Sequence, residues 1–134
     1  MAESAFEIEV FDQVPGRERR SAGALHLASE RITAAELLRR RVEAEVARHN
    51  GEQSQVYEGL VQPTDAEAAL NGVRLKKRRT LDAAVQTTVA LEAFDQGKIL
   101  MLFDDRQVDG PDELLSLTGE NQVTFIRLVP LVGG

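Results

Sequence analysis

Residues 99–134 read ILMLFDDRQVDGPDELLSLTGENQVTFIRLVPLVGG, and this last stretch decides the fold. Ile99–Phe103 is a continuous apolar run, short enough for a buried strand. Asp104-Asp105 supply turn chemistry, and Gln107-Val108 is a brief strand. Pro111–Leu115 reads as a short helical turn with proline at its first position. Gln122–Val129 is a strand with two apolar faces, Val123 and Phe125 on one, Ile126 and Leu128 on the other. It runs without a break into Pro130-Leu131-Val132-Gly133-Gly134, where the sequence stops.

Moving back along the chain, Thr80 is placed to cap a helix to about Gln96. Leu81, Val85, Val89 or Thr88, and Leu91 lie near helical spacing, and Gly97 is the stop. Pro63–Glu67 reads as the start of another short helix ending at Asn71-Gly72, and Arg74–Arg79 as a basic loop. The clearest element precedes these. Thr33-Ala34-Ala35-Glu36 is a capping box, with Ile32 and Leu37 at hydrophobic-staple spacing. Leu38, Val42 and Val46 then recur every four residues as a buried stripe, and Asn50-Gly51 ends the helix. In front of it, Phe6, Ile8 and Val10 alternate with Glu7 and Glu9. Pro15-Gly16 turns the chain, and Ala22–Ala28 returns as a weaker strand, so the pair reads as a hairpin.

A length of 134 residues suits one domain, and 43% hydrophobic residues suffice for a core. The absence of cysteine excludes disulfide scaffolds, thiol catalysis and cysteine zinc sites. Sixteen basic against 22 acidic residues, net −6, disfavours nucleic acid as a partner. The basic run Arg74–Arg79 reads as a solvated loop. No apolar run approaches a membrane span, and the acidic start MAESAFEIEV lacks a signal pattern, so a cytoplasmic protein is expected. His26 and His49 lie on different elements without a Ser or Cys partner, and Gly51, Gly59 and Gly72 are scattered. Asp104, Asp105 and Asp109 fail the spacing of a calcium loop, so no metal site is expected. An enzyme is not expected.

The order of hairpin, capped helix, inserted segment, two more strands and diglycine is the β-grasp order, and here the chain resembles the ubiquitin family. The resemblance is carried by the apolar strand Ile99–Phe103 and by the basic-Gln-apolar-acidic run Arg106-Gln107-Val108-Asp109. It continues in Leu114, in the polar turn Glu120-Asn121, in the strand Val123–Val129 and in Leu131-Val132-Gly133-Gly134. It covers most of residues 5–50 and 99–134, and is closest to bacterial ubiquitin-like proteins. The expected fold is therefore α+β, a mixed β-grasp sheet packed on one main helix. Ile8, Leu38, Val42, Leu100 and Leu102 are expected in its core. Residues 52–97 are expected to be a helical insertion within a single domain 1–134, and 130–134 a flexible tail that packs against little.

The resemblance implies a protein modifier rather than a catalyst. The Gly134 carboxylate is adenylated by an activating enzyme, which uses ATP. It then passes as a thioester to a conjugating enzyme and is attacked by a target amine. Gly133, lacking a Cβ, gives the backbone access to a narrow channel. Pro130, Leu131 and Val132 are the candidate tail-recognition residues. Pro130 and Val132 stand where the family carries arginines, which implies a dedicated set of activating, conjugating and deconjugating partners. The apolar side of the last strand, Ile126 and Leu128, is a candidate interaction patch. Only three lysines are present, and Lys76 and Lys77 in the basic loop are the candidate self-acceptors. No residue follows Gly134, so no processing protease is expected. No cofactor is implied for the chain itself, nor any membrane or nucleic-acid partner. Two alternatives stand beside this: a diglycine sulfur carrier bearing a thiocarboxylate, and a non-conjugated ubiquitin-like interaction module.

Overall fold

The computed structural model describes residues 6–52, 56–57, 59–63, 66–69, 72–75 and 80–133. The elements run β1 (Phe6–Gln13), β2 (Arg20–Leu27), β3 (Arg31–Thr33), α1 (Ala34–Glu52), β4 (Val56–Tyr57), β5 (Ala66–Ala69), β6 (Gly72–Leu75) and α2 (Ala83–Asp95). They continue with β7 (Ile99–Phe103), β8 (Arg106–Gln107), β9 (Leu114–Ser116) and β10 (Asn121–Arg127). The architecture is α+β, with two helices and a mixed five-stranded sheet. The chain divides into two compact units, Met1–Leu37 with Phe94–Val129, and Leu38–Ala93 with Pro130–Gly134.

In the first unit the sheet order is β2-β1-β10-β7-β8. β10 lies at its centre, parallel to β1 from Ile8↔Asn121 to Gln13↔Ile126 and antiparallel to β7. One face is fully buried: Ile8, Val10, Ile99, Met101, Val123 and Phe125 are each at most 2% exposed. Ile8 thus lies in the core as expected, but Leu100 and Leu102 do not. The pleat puts alternate residues of β7 on opposite faces, and Ile99, Met101 and Phe103 took the core side. Leu100 and Leu102 are half-buried on the other face, opposite Ile126 and Thr124. An unbroken apolar run carries no parity, which is why the sequence could not choose between the two sets.

The β1–β2 hairpin contains a register shift at Val10/Phe11, opposite Gly23, whose φ of +101° suits a residue without a Cβ. Asp104 and Asp105 both have positive φ, as a two-residue hairpin turn between β7 and β8 requires. The Asp104 carboxylate then accepts from Asn121 Nδ2 at 2.6 Å and Gln122 N at 2.9 Å, tying the turn to the start of β10.

The helical turn expected at Pro111–Leu115 is instead a tight turn leading into β9, which pairs antiparallel with β3 through Ile32↔Leu115. The first free amides of α1 explain this. Ala34 N donates to Glu113 O and Ala35 N to Pro111 O, both at 2.9 Å, so these carbonyls cap α1 instead of closing a helix of their own. The predicted cap is present: Thr33 Oγ1 accepts from Glu36 N at 3.2 Å.

In the second unit, Leu38, Val42 and Val46 are buried, the stripe that their spacing marked. α1 continues through Asn50-Gly51 to Glu52, because Asn50 spends its side chain elsewhere. Its amide nitrogen donates to Leu81 O at 3.0 Å and its oxygen accepts from Leu81 N at 2.8 Å. The inserted segment is not wholly helical. β4, β6 and β5 form a three-stranded antiparallel sheet in that order, so Ala66–Ala69 is a strand where a short helix was expected. The ambiguity lay in Asn71-Gly72, which is both a helix stop and a hairpin signal. α2 starts at Ala83 rather than Thr80, since the cap is Asp82, whose Oδ1 accepts from Ala84 N at 2.9 Å. Its buried residues are Gln86, Thr87, Ala90, Ala93 and Phe94. Of the expected face, Leu81 is buried ahead of the helix, Leu91 is half-buried, and Val85 is 42% exposed.

Candidate functional site

The tail is not free. Leu131–Gly133 lies beside Gln62 as a one-residue parallel bridge, Gln62↔Val132. Gln62 N donates to Leu131 O at 2.7 Å, and Gly133 N donates to Gln62 O at 2.8 Å. A third bond comes from α2, where Gln86 Nε2 donates to the Gly133 carbonyl at 2.7 Å. Side chains alternate as in a strand: Leu131 is buried and Val132 is 55% exposed. Pro130 is exposed. Thus two of the three tail-recognition candidates face solvent, while the third is held inside. Gly134 lies outside the described residues.

Gly133 sits directly against α2. A Cβ built on it would overlap Val89 Cγ2 and lie 3.2 Å from Val89 Cβ and 3.3 Å from Cγ1. Valine on a helix keeps one strongly preferred rotamer, so Val89 cannot swing aside without cost. Glycine at this position therefore serves the docked tail, independently of any use the tail has elsewhere.

The seat is fixed from beneath. Leu60 and Val61 are at most 1% exposed. Leu60 N donates to Glu45 Oε1 at 3.4 Å, and that carboxylate is paired at 3.1 Å with Arg41 Nε, one turn earlier on α1. Arg41 and Glu45 side chains are only 3% and 11% exposed. On the other side, the Asn50–Leu81 pair anchors the approach to α2.

Magnitudes show how firmly the tail is held. Burying Leu131 contributes about 1.5–3 kcal/mol, and three hydrogen bonds add about 0.5–1.5 kcal/mol each. Ordering three residues costs about 1–2 kcal/mol apiece. The two sides nearly cancel, so docking is marginal and the tail opens on a thermal scale that leaves the body folded.

On the outer face of the five-stranded sheet, Ile126 is half-buried in a row with Gln13 and Leu100, while Leu128 is 45% exposed. The neighbouring Phe11 is covered by the Arg19 guanidinium at 3.9 Å from its ring centroid, and Arg19 also reaches Gln122 Oε1 at 3.2 Å. The two patch candidates thus differ, Ile126 being half-buried within the paired sheet and Leu128 exposed beyond the end of β10. Lys76 and Lys77 lie outside the described residues. His26 is an exposed cross-strand partner of Glu7 at 2.9 Å, and His49 is buried. Among the described residues no group of three His, Asp or Glu is placed to hold a metal ion, and no helix is long and apolar enough to cross a membrane.

Sequence reasoning missed Gln62 and Gln86, and placed Val89 only at helical spacing with no role at the tail. A signal existed in the spacing of Gln86, Thr87, Ala90 and Ala93, which is helical, but polar and small residues hid it behind the larger Leu81, Val85 and Leu91. No protein-family model, curated protein or solved structure matches the chain.

Proposed function

We propose that this chain is a ubiquitin-like modifier with a β-grasp body, conjugated to target amines through the Gly134 carboxylate. What carries the reading is the course of β10, which lies at the centre of the sheet, parallel to β1, and leads directly into Leu131-Val132-Gly133-Gly134. The order of hairpin, capped helix and later strands supports it. In this reading the chain is a substrate and a label, not an enzyme. An activating enzyme uses ATP to adenylate Gly134, a conjugating enzyme receives the thioester, and a deconjugating protease reverses the bond. These ATP-dependent steps belong to the cytoplasm. An exposed glycine carboxylate is the only group the chain must offer, since its partners supply the acid–base chemistry.

The seating of Gly133 against Val89 favours one competing reading, an interaction module whose tail is merely structural. Deletion of Gly134 separates the two. Epitope-tagged chain is incubated with ATP and an extract of its source cells. ATP-dependent higher-mass species present with the full chain and absent with the deletion support conjugation. Equal behaviour of the two chains overturns it. Intact-mass measurement of the recovered chain then distinguishes a gained protein from the exchange of a carboxylate oxygen for sulfur, which would mark a carrier.

A further inference from the structure

We propose that the inserted segment is a latch that holds the tail out of reach of its activating enzyme, so that conjugation proceeds only from a released state. This inference rests on the conjugation reading. Adenylation needs the tail extended inside another protein, with its backbone free. In the docked tail those backbone groups are already engaged: Leu131 O and Gly133 N by Gln62, and Gly133 O by Gln86. Leu131, a candidate recognition side chain, is 4% exposed and so unreadable by a partner. Docked and activated geometries exclude one another.

The seat and the tail are held unequally, and this decides which of them moves. The seat stands on the buried Leu60 and Val61, on the Arg41–Glu45 pair and on the two bonds between Asn50 and Leu81. Among its described residues the tail is held by three hydrogen bonds and the buried Leu131. Opening therefore peels the tail and leaves the seat. Gln86 is the natural point of control. Its side chain is 0% exposed and its Oε1 has no hydrogen-bond partner among the described residues, so the side chain is kept buried at a cost, and the bond it makes among those residues is the one to Gly133. A partner then sees an apparent affinity reduced by the released fraction.

Two variants test this on the intact chain. Gln86→Met keeps the volume, removes the donor and also removes the unpartnered oxygen, so the fold is retained. The second is the pair Gln62→Cys and Val132→Cys, which face each other across the bridge. A strand spacing of about 4.8 Å falls within the reach of a disulfide, and the chain has no other cysteine to compete. Exchange of the Gly133 amide is measured by NMR, and removal of the last residues by carboxypeptidase Y. The wild-type amide should be protected, and Gln86→Met should lose most of that protection. The oxidised pair should resist the peptidase, and reduction should restore digestion. A Gly133 amide that exchanges at the free-peptide rate, or equal digestion of oxidised and reduced forms, overturns the latch whatever the conjugation assay gives. Protection at Gly133 with no ATP-dependent adduct from any variant overturns the conjugation reading instead.

Discussion

Gly133 lies so close to Val89 that the two residues leave no room for a methyl group between them. Gly133→Ala should therefore eject the tail while sparing the body. Because docking is nearly balanced, the melting temperature should fall by only about 2–5 °C. Exchange of the residue-133 amide should rise to the free-peptide rate. An alanine chain with undiminished protection would show that Val89 yields.

Arg41 and Glu45 form the buried pair under Leu60. Glu45→Ala removes the carboxylate that pairs with the buried Arg41 guanidinium and accepts from Leu60 N, and should cost more than about 1 kcal/mol in denaturant unfolding. Glu45→Gln keeps an acceptor for Leu60 N and should cost less. An alanine effect below about 1 kcal/mol would mean that the Arg41–Glu45 pair does not support the seat.

Glu113 joins three parts of its loop. It pairs with Arg106 and accepts from Asp109 N at 2.9 Å. The hydrogen bond from Arg106, and next the one from Asp109, hold its carboxyl below the ordinary range. A depressed carboxyl stabilises the fold above its unfolded value, about 4.3, and loses that contribution as pH falls through the folded value. Wild type should thus be more stable than Glu113→Gln at pH 6, and the gap should close below about pH 4. Urea midpoints of both proteins at each pH measure this, and a gap independent of pH would remove the linkage.

How much of this was legible in the sequence depended on the type of signal. The cap at Thr33, the alternation of Phe6, Ile8 and Val10, and the stripe of Leu38, Val42 and Val46 are periodic or stereochemical, and each appears where its residues put it. Ile99–Phe103 was legible as a strand but not in its facing, because five apolar residues have no phase. The Pro111–Leu115 segment was misread because its carbonyls are taken by α1, a partner distant in sequence. The tail seat was the least visible. A Gln62 backbone has no local pattern, the helical spacing of Gln86 and Val89 does not say what they touch, and the docking of Gly133 is a tertiary fact.

The lysines make the product of self-linkage specific. The three are Lys76, Lys77 and Lys98, against thirteen arginines. Self-linkage is expected at Lys76 or Lys77, and long lysine-linked chains are not expected as the main product. Replacing all three lysines by arginine should abolish any ladder in the ATP-dependent assay. A ladder that survives would mean linkage through the amino terminus or a hydroxyl.

The most direct measurement is the mark that the chain leaves on its targets. The last arginine or lysine is Arg127, so trypsin leaves residues 128–134, LVPLVGG, on each modified amine. Peptides from source cells are searched by mass spectrometry for lysines bearing this remnant. Conjugation through Gly134 predicts branched LVPLVGG-lysine peptides that depend on ATP and vanish on deletion of Gly134. Recovery of only linear, unbranched peptides ending at Gly134, from cells in which the chain is abundant, would contradict it.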